Sequence, residues 1–327
     1  HRHLDGSIRL ETILDLGLKH NLALPEKTLE GLRPYVQVST PQPGVMEFIE
    51  KFEWMTGILV DYDACRRVAY ENVEDAFVEG IHYIELRYSP WFMAEAHQLK
   101  PEGVVEAVTD GLKAGQRDYD IRVNQLGILS RHYGPQIARE ELEAELHFAD
   151  DFVGLDLAGD EAHYPGELFT WHFKQAREQG WHITVHAGES AGPGSIWQAV
   201  RGLGAERIGH AVHAPEDPGL LDYLREHHIG IECNLTSNVQ TSTVADYPSH
   251  PLRLFLEQGL LASINTDDPG ISAIDLPYEY EVAAPKAGLT PEMIRQAKKN
   301  AVDTAFLNEA ERSSLYDRTA HSAMSPG

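Results

Sequence analysis

Apolar and polar positions follow a repeated unit along most of this chain. Each unit begins with a short apolar run, continues through polar residues and glycine, and ends in a stretch with the period of an amphipathic helix. The apolar runs predict seven strands, at 81–90, 121–131, 152–161, 182–190, 207–214, 230–238 and 260–269. Helical patterns at 101–115, 166–180 and 216–228 lie between them. Strands that alternate with helices are typical of an α/β protein with a parallel sheet.

The first residues, HRHLDG, read as the end of an eighth strand that is apparently truncated. Eight β/α units in a chain of 327 residues predict a TIM-type (β/α)8 barrel. We expect a single domain over residues 1–327, and we expect residues upstream of His1 in the natural protein. A doubly wound open sheet is the competing architecture, but no G-x-G-x-x-G motif follows a first strand to support it.

The stretch 43–80 predicts an additional early helical segment. Phe48, Phe52, Met55 and Leu59 recur there at helical spacing and form one apolar stripe. This pattern favours a stripe that faces the core, and a lid over a ligand pocket is the alternative.

Composition narrows the class of partner. The chain carries 27 basic and 51 acidic residues, a formal net charge of −24, which disfavours nucleic acid because phosphates would be repelled. No apolar run approaches the roughly 20 residues of a membrane-spanning helix, so we expect no membrane partner. The two cysteines, Cys65 and Cys233, are too few for a disulfide framework and favour a reducing, cytoplasmic setting. The oligomeric state leaves no readable signature.

The predicted strands become polar where they end, in the segments RYSP, LAGDE, HAGES, GHAVH, NLTSN and NTDDP. In a β/α barrel the carboxyl ends of the strands share one rim, which is the face where active sites are built. Polar loop residues are common after any strand. Six such ends that are rich in His, Asp and Glu nevertheless indicate a site.

One of these segments, HAGES, and the first residues carry metal-type side chains. His1 and His3 lie two apart on a strand, so they face the same side and could chelate one metal; a polar terminus is the alternative. His186 ends its strand and can face the interior. Glu189 comes three positions after His186, beyond two small residues. It could transfer a proton without binding the metal, or it could be an exposed turn residue.

The remaining candidates come from three other strand ends. Asp267 and Asp268 are adjacent carboxylates that repel unless a cation intervenes, so one could bind a metal while the other faces a ligand. Asp-Pro-Gly also commonly begins a turn or a helix. His210 could be a base or an electrostatic partner near the metal, and Gly159 would allow a ligand to approach the backbone.

Three histidines and one aspartate from different strand ends would give a mixed nitrogen and oxygen site. Such a set suits zinc and tolerates iron, manganese or cobalt. A metal lowers the pKa of a bound water molecule enough for hydrolysis near neutral pH. We interpret the other histidines on helical or loop stretches as surface residues: His20, His97, His147, His227, His228 and His250.

The ordered motifs HRHLDG, LAGDE, HAGE, RIGH, TSN and NTDDP, between His1 and Pro269, closely resemble those of the adenosine deaminase family, bacterial branch. The resemblance implies a cytoplasmic, zinc-dependent hydrolase of purine salvage. Its reaction would convert adenosine and 2′-deoxyadenosine to inosine and 2′-deoxyinosine plus ammonia. The DNA- and RNA-editing deaminases are disfavoured because their P-C-x-x-C signature is absent.

The resemblance also implies a role for each candidate residue. One zinc ion would be held by His1, His3, His186 and Asp267. Glu189 would give a proton to purine N1, and His210 would orient and assist the hydroxide that attacks C6. Around the nucleoside, the implied contacts are Asp268 accepting a hydrogen bond at the N7 edge, the Gly159 backbone at N3, Asp5 at the ribose 5′-hydroxyl with His3 beside it, and Phe48, Ile49 and Phe52 as a cover over the purine.

The sequence differs from the family motifs at two positions, and three other functions compete with the one that the resemblance implies. Ala211 follows RIGH where the family usually has glycine, and Ser190 follows HAGE where alanine is common. Related enzymes act on adenine or on modified nucleosides; those acting on adenine tend to carry glutamate in place of Asp5, so the shorter side chain favours a nucleoside. A two-metal amidohydrolase would need a bridging lysine after the fourth strand, which LAGDE lacks. A non-catalytic barrel would not need Glu189 and His210 beside the metal.

Overall fold

Eight parallel strands form the centre of the fold in a computed structural model that describes residues 1–322. The strands are β1 (Arg2–His3), β2 (Tyr83–Tyr88), β3 (Arg122–Ser130), β4 (Phe152–Ala158), β5 (His182–Ala187), β6 (Arg207–His210), β7 (Gly230–Cys233) and β8 (Leu261–Ile264). Each strand pairs with the next one along the chain. A parallel bridge between Arg2 and Asp267 joins the end beyond β8 to β1. The fold is therefore the TIM-type (β/α)8 barrel that the sequence predicts.

Helices surround this barrel. The α-helices are α1 (Leu10–Lys19), α2 (Leu29–Val36), α3 (Val45–Ile49), α4 (Glu53–Thr56), α5 (Tyr62–Val78), α6 (Pro90–Glu95), α7 (Pro101–Asp118), α8 (Gly134–Leu146), α9 (Thr170–Glu178), α10 (Pro193–Gln198), α11 (Pro218–Glu226), α12 (Leu235–Gln240), α13 (Leu252–Glu257), α14 (Pro269–Ser272), α15 (Leu276–Tyr278), α16 (Ala284–Lys286), α17 (Pro291–Asp303) and α18 (Glu309–Ser322). Short 3-10 turns occur at Glu50–Phe52, Arg131–Tyr133, Ala149–Asp151, Gly166–Phe169, Ala214–Glu216 and Tyr247–Ser249, and π-helical turns at Ala199–Leu203 and Glu279–Ala283. Across residues 1–322, no helix is both long and apolar enough to cross a membrane.

Side-chain caps explain where several helices begin. Asp61 accepts the backbone N–H of Ala64 at the start of α5, and Asp217 accepts those of Gly219 and Leu220 at the start of α11. Such caps satisfy N–H groups that the first helical turn leaves without partners.

The predicted early helical segment is present as α3, α4 and α5, with a 3-10 turn between the first two. Phe48, Phe52, Met55 and Leu59 are all buried, so the apolar stripe faces inward as predicted. Its first two members also lie over the open end of the barrel, where the pocket described below is found.

The barrel interior carries charge where most TIM barrels carry branched apolar side chains. Arg87 on β2 contacts Asp156 on β4 and Glu232 on β7, and Arg207 on β6 contacts Glu232 and Glu85. Side chains two apart on a strand point the same way, so these charges meet below the polar rim. Opposite charges compensate one another there, as burial requires.

Gly154 lies where β4 approaches β5 too closely for a side chain. An added Cβ would lie 2.5 Å from the backbone oxygen of His182 and 2.9 Å from Cδ2 of Leu126. Because the backbone cannot move aside easily, we expect Gly154→Ala to lower the free energy of unfolding by about 1–3 kcal/mol. Denaturant unfolding measures this. The matched control is Gly194→Ala in α10, because no neighbouring atom of the described chain lies within 4 Å of a Cβ added there. Equal stability of the two variants would contradict the prediction.

Candidate active site

A pocket opens at the carboxyl ends of the strands, on the rim that the sequence predicts to be polar. Its polar lining includes the predicted residues His3, Asp5, Gly159, His186, Glu189, His210, Asp267 and Asp268. Its apolar wall is formed by Val45, Phe48, Ile49, Phe52 and Phe92. The ring of Phe52 meets that of Phe92 edge to face, with 5.6 Å between the centroids. One side of the pocket thus suits a flat apolar ring, and the other presents charge and hydrogen-bonding groups.

Metal-type side chains converge at the base of the pocket. Ligand atoms of His1, His186, His210 and Asp267 all lie within 4.8 Å of one another. His3 reaches the same place, because its Nε2 lies 3.2 Å from Nε2 of His186 and 3.3 Å from Oδ1 of Asp267. The structure therefore brings together the four predicted ligands, with His210 as a fifth neighbour.

Two buried carboxylates orient two of these histidines. Oε2 of Glu232 lies 2.8 Å from Nδ1 of His1, and Oδ2 of Asp156 lies 3.0 Å from Nδ1 of His186. An ionised carboxylate only accepts, so each Nδ1 donates, and Nε2 of a neutral ring keeps its lone pair. Nε2 of His1 lies 2.8 Å from Oδ1 of Asp267, so in a neutral ring two lone pairs would face each other. A cation between them would turn this repulsion into coordination, so the residues fit a metal ion.

Arg87 holds the two orienting carboxylates together. Its Nη1 lies 2.9 Å from Oδ2 of Asp156, and its Nη2 lies 3.0 Å from Oε2 of Glu232. Burial by itself would raise the pKa of both carboxyls, but the histidines and the arginine hold each pKa below its usual range. Both groups therefore stay ionised and keep accepting from the histidines.

The electrostatics of His3 give a second measure of fit. Burial would lower its pKa, but the carboxyl groups of Asp268, Asp267 and Asp5 around it raise the pKa to about 10. The pocket base is therefore strongly negative and favours a cation. Imidazole nitrogens with one carboxylate oxygen are a donor set for borderline transition metals.

Glu161 holds the loop that carries Glu189. Its buried carboxylate accepts four consecutive backbone N–H groups, those of Gly188, Glu189, Ser190 and Ala191, at 2.6, 3.0, 2.8 and 3.1 Å. On the other side, Nη2 of Arg131 donates to the carbonyl oxygen of His186 at 2.6 Å. A buried acid and a buried base thus fix the loop between them.

The side chain of Glu189 is suited to donate a proton. It lines the pocket, and Oε1 lies 3.7 Å from Nδ1 of His210. Burial raises its pKa to about 8, and the nearby carboxyls of Asp267 and Glu161 add to the shift. Glu189 is therefore protonated at neutral pH, as a general acid must be.

Two carboxyl groups of the lining have an oxygen with no hydrogen-bond partner in the described chain. These are Oδ1 of Asp5 and Oδ1 of Asp268, both buried. Burial and the charge of Asp267 raise the pKa of Asp268 well above its usual range. Purine N7 offers only a lone pair, so a contact there would need the protonated form of Asp268. The expected contact of Asp268 at the N7 edge stays a prediction.

Backbone conformation at the rim is unusual at several positions. Gly159 has φ of +107°, and an added Cβ would lie 2.6 Å from Nδ1 of His132, so only glycine fits. His210, Ala211 and Asp267 adopt the left-handed region with φ between 53° and 68°. Such strain is typical of functional sites. Ala211, where glycine is usual, keeps the left-handed turn.

One histidine assignment is wrong. His250 is buried, with 2% of its surface exposed, because the turn before α13 packs against α12 and pairs His250 with Asn238. His20 and His97 are half-buried, whereas His147, His227 and His228 are exposed as expected.

Sequence reasoning also missed residues that build the site: Arg87, Ser89, Arg131, His132, Asp156, Glu161, Glu232 and Asn238. Arg87, Asp156 and Glu232 had a readable signal, because charged residues inside otherwise apolar strands are rare and require partners. His132 follows a predicted strand end directly, as the recognised candidates do, and it lines the pocket.

Comparison with known proteins gives a consistent result. The model of the adenosine deaminase family matches residues 1–322. An adenosine deaminase of Klebsiella pneumoniae strain 342 is 58% identical over 320 residues, which cover 98% of this chain and 96% of the relative. An adenosine deaminase of Escherichia coli O157:H7 is 56% identical with the same coverage.

Solved structures share the fold. An adenine deaminase from Arthrobacter aurescens superposes with a TM-score of 0.92, covers 99% of this chain and 98% of its own, and is 22% identical. The N6-methyl-AMP deaminase of Arabidopsis thaliana gives a TM-score of 0.82 at 26% identity, over 100% of this chain and 96% of its own.

The orientation of His1 by Glu232 predicts a change in metal affinity. We expect Glu232→Gln to weaken binding of Co²⁺, a probe with visible absorption, by about 10–100-fold, because the neutral amide makes His1 a poorer ligand. Competition with a coloured chelator measures the affinity. The control is Glu206→Gln, which alters a carboxylate 2.9 Å from Nδ1 of His182, a histidine outside the site. Equal affinities of the two variants would contradict the assignment.

Proposed function

Because the chain belongs to the adenosine deaminase family, we propose that it hydrolyses adenosine and 2′-deoxyadenosine to inosine and 2′-deoxyinosine, with release of ammonia. The observation that carries this proposal is 58% identity with an adenosine deaminase over 98% of the chain. The net charge of −24 is compatible with an uncharged nucleoside as substrate.

We propose zinc as the metal, held by His1, His3, His186 and Asp267. Three imidazole nitrogens and one carboxylate oxygen match the donors that zinc takes in proteins. Zinc bound there would activate a water molecule for attack at neutral pH. Glu232 and Asp156 keep the Nε2 lone pairs of His1 and His186 available for it.

Glu189 supplies the second requirement of the reaction. Attack at C6 breaks the conjugation of the purine ring, and a proton on N1 makes that carbon electrophilic enough. A carboxyl that is still protonated at pH 7 can give this proton, which supports Glu189 as the acid. The oxygen of water becomes O6, and the amino group takes up a proton and leaves as ammonia.

The other lining groups would hold the nucleoside. A neutral Asp268 would donate to N7, and the backbone N–H of Gly159 would donate to N3. Asp5, beside His3, would contact the ribose 5′-hydroxyl. Phe48 and its apolar neighbours would cover the purine face and exclude water from it.

Deamination of free adenine or of a modified adenosine is the alternative within the same superfamily. Asp5 stands where enzymes acting on adenine tend to carry glutamate, and the shorter side chain leaves room for a ribose. The likeness to an adenine deaminase, at 22% identity, concerns the fold alone. Buried free thiols at Cys65 and Cys233 support a reducing, cytoplasmic location.

Glu189→Gln tests the acid. We expect kcat with adenosine to fall by about 10²–10⁴-fold, because an amide cannot transfer the proton to N1. The ultraviolet change from adenosine to inosine measures the rate. Glu216→Gln is the matched control, since Glu216 pairs with His213 on the surface at 2.7 Å, and it should keep full activity. Full activity in Glu189→Gln would remove the proposed role.

Metal removal and substrate choice test the rest. Chelation should abolish turnover of adenosine, and added Zn²⁺ should restore it, because the unactivated water is a poor nucleophile. Zinc-loaded protein should act on adenosine and 2′-deoxyadenosine in preference to adenine. If it consumes adenine and leaves both nucleosides unchanged, the substrate assignment is wrong.

A further inference from the structure

Asn238 joins His210 to a second buried histidine, His250. Asn238 lies in α12, after β7, and His250 lies just before α13. All three side chains are at most 2% exposed. Hydrogen bonds within the protein therefore bear directly on which ring nitrogen of each histidine carries the proton.

A backbone amide beside His250 fixes which of its ring nitrogens carries the proton. The N–H of Leu252 donates to Nδ1 of His250 at 3.1 Å. A backbone amide can only donate, so Nδ1 of His250 holds a lone pair and its ring is neutral. Burial lowers the pKa of His250 to about 3, in agreement with a neutral ring. The single ring proton therefore lies on Nε2.

This proton fixes the orientation of the Asn238 amide. Nε2 of His250 lies 3.1 Å from Oδ1 of Asn238, which must accept. Nδ2 of Asn238 is then directed to Nδ1 of His210 at 2.9 Å and to Oγ1 of Thr243 at 3.1 Å. Because an amide nitrogen only donates, Nδ1 of His210 must accept.

A second amide supports the same assignment. Nδ2 of Asn234 lies 3.4 Å from the carbonyl oxygen of Glu232, which can only accept, and 3.4 Å from Nδ1 of His210. Two donors thus face Nδ1 of His210. The ring of His210 is neutral, and its proton lies on Nε2, the nitrogen 3.7 Å from Oδ2 of Asp267.

We propose that His250 and Asn238 fix the tautomer of His210, so that His210 presents a hydrogen-bond donor to the pocket. His1 and His186 are fixed in the opposite sense, because their Nδ1 atoms donate to carboxylates and leave Nε2 as a lone pair. This difference separates the metal ligands from His210 within one cluster of imidazoles. It also excludes Nε2 of His210 as a proton acceptor in the resting enzyme.

The catalytic meaning of this inference rests on the proposed deamination. A donor at Nε2 can hold an oxygen nucleophile in place through one of its lone pairs, whereas a lone pair at Nε2 would compete for the metal or for a proton. Asn238 and His250 are accordingly positioning residues, since they act through His210 and do not line the pocket.

Asn238→Asp tests the inference with almost no change of shape. A carboxylate accepts on both sides, so Nδ1 of His210 must carry a proton, and the ring either loses the proton on Nε2 or becomes an imidazolium. Nitrogen-15 spectra of zinc-loaded, histidine-labelled protein report the tautomer, and His210→Gln identifies the resonances. We expect a protonated Nε2 in the unaltered chain and a protonated Nδ1 in the variant. We expect kcat to fall on the order of 10²–10⁴-fold, with KM changed by less than about threefold.

Asn308→Asp is the matched control. Oδ1 of Asn308 accepts the backbone N–H of Glu311 at 3.0 Å on the surface, and a carboxylate accepts the same hydrogen bond. The control should leave the His210 resonances and kcat unchanged. A protonated Nδ1 in the unaltered chain, or an unprotonated Nδ1 in Asn238→Asp, would overturn the proposal. So would a kcat of Asn238→Asp within threefold of the control.

Asn238→Ala covers the case in which Asn238→Asp does not fold. It removes the amide, and we expect a mixture of the two His210 tautomers and a lower kcat; a pure Nε2–H form would overturn the proposal. Failure of the proposed function is distinguishable, because the spectra report the tautomer even if the unaltered chain leaves adenosine unchanged.

Discussion

The pairing of buried charges inside the barrel is the constraint on which the site depends. Arg87 holds Asp156 and Glu232 at 2.9 and 3.0 Å, and these carboxylates in turn direct His186 and His1. Each group is shielded from water, so the loss of one member would leave an uncompensated charge. The contacts that compensate the buried charges therefore also orient His1 and His186. The stability of the barrel interior and the geometry of the candidate metal site depend on the same ion pairs and hydrogen bonds.

The fold and the predicted site residues were readable because strand and barrel geometry are local rules. Alternation along a strand places His1 and His3 on one side, and the common rim brings His186, Glu189 and Asp267 to the same pocket. Ala211, a departure from the family motif, adopts the left-handed region with φ of 53° without being glycine. The role of each residue stays a prediction of the resemblance until the variants are measured.

The supporting residues could not be predicted in the same way, because their meaning comes from contacts between distant segments. In the sequence, Glu161 has no feature that distinguishes it from other acidic loop residues. Its role follows from four backbone N–H groups, beginning 27 residues later, that donate to its carboxylate. His250 lies in a segment with the pattern of a surface turn, and only packing against Asn238 buries it. The raised pKa of Asp268 comes from burial and from the neighbouring charge of Asp267, which a motif does not show.

The four hydrogen bonds of Glu161 have a consequence for directed evolution. Gly159, which lines the pocket, and Glu161, whose carboxylate holds the loop of Glu189, are two residues apart on one short segment. A library that randomises this segment to change ligand selectivity would also remove the four hydrogen bonds that hold that loop. Ligand selectivity and the position of Glu189 are therefore coupled in this chain, whereas substitutions at Phe48 and Phe52 reshape the pocket without altering Glu161.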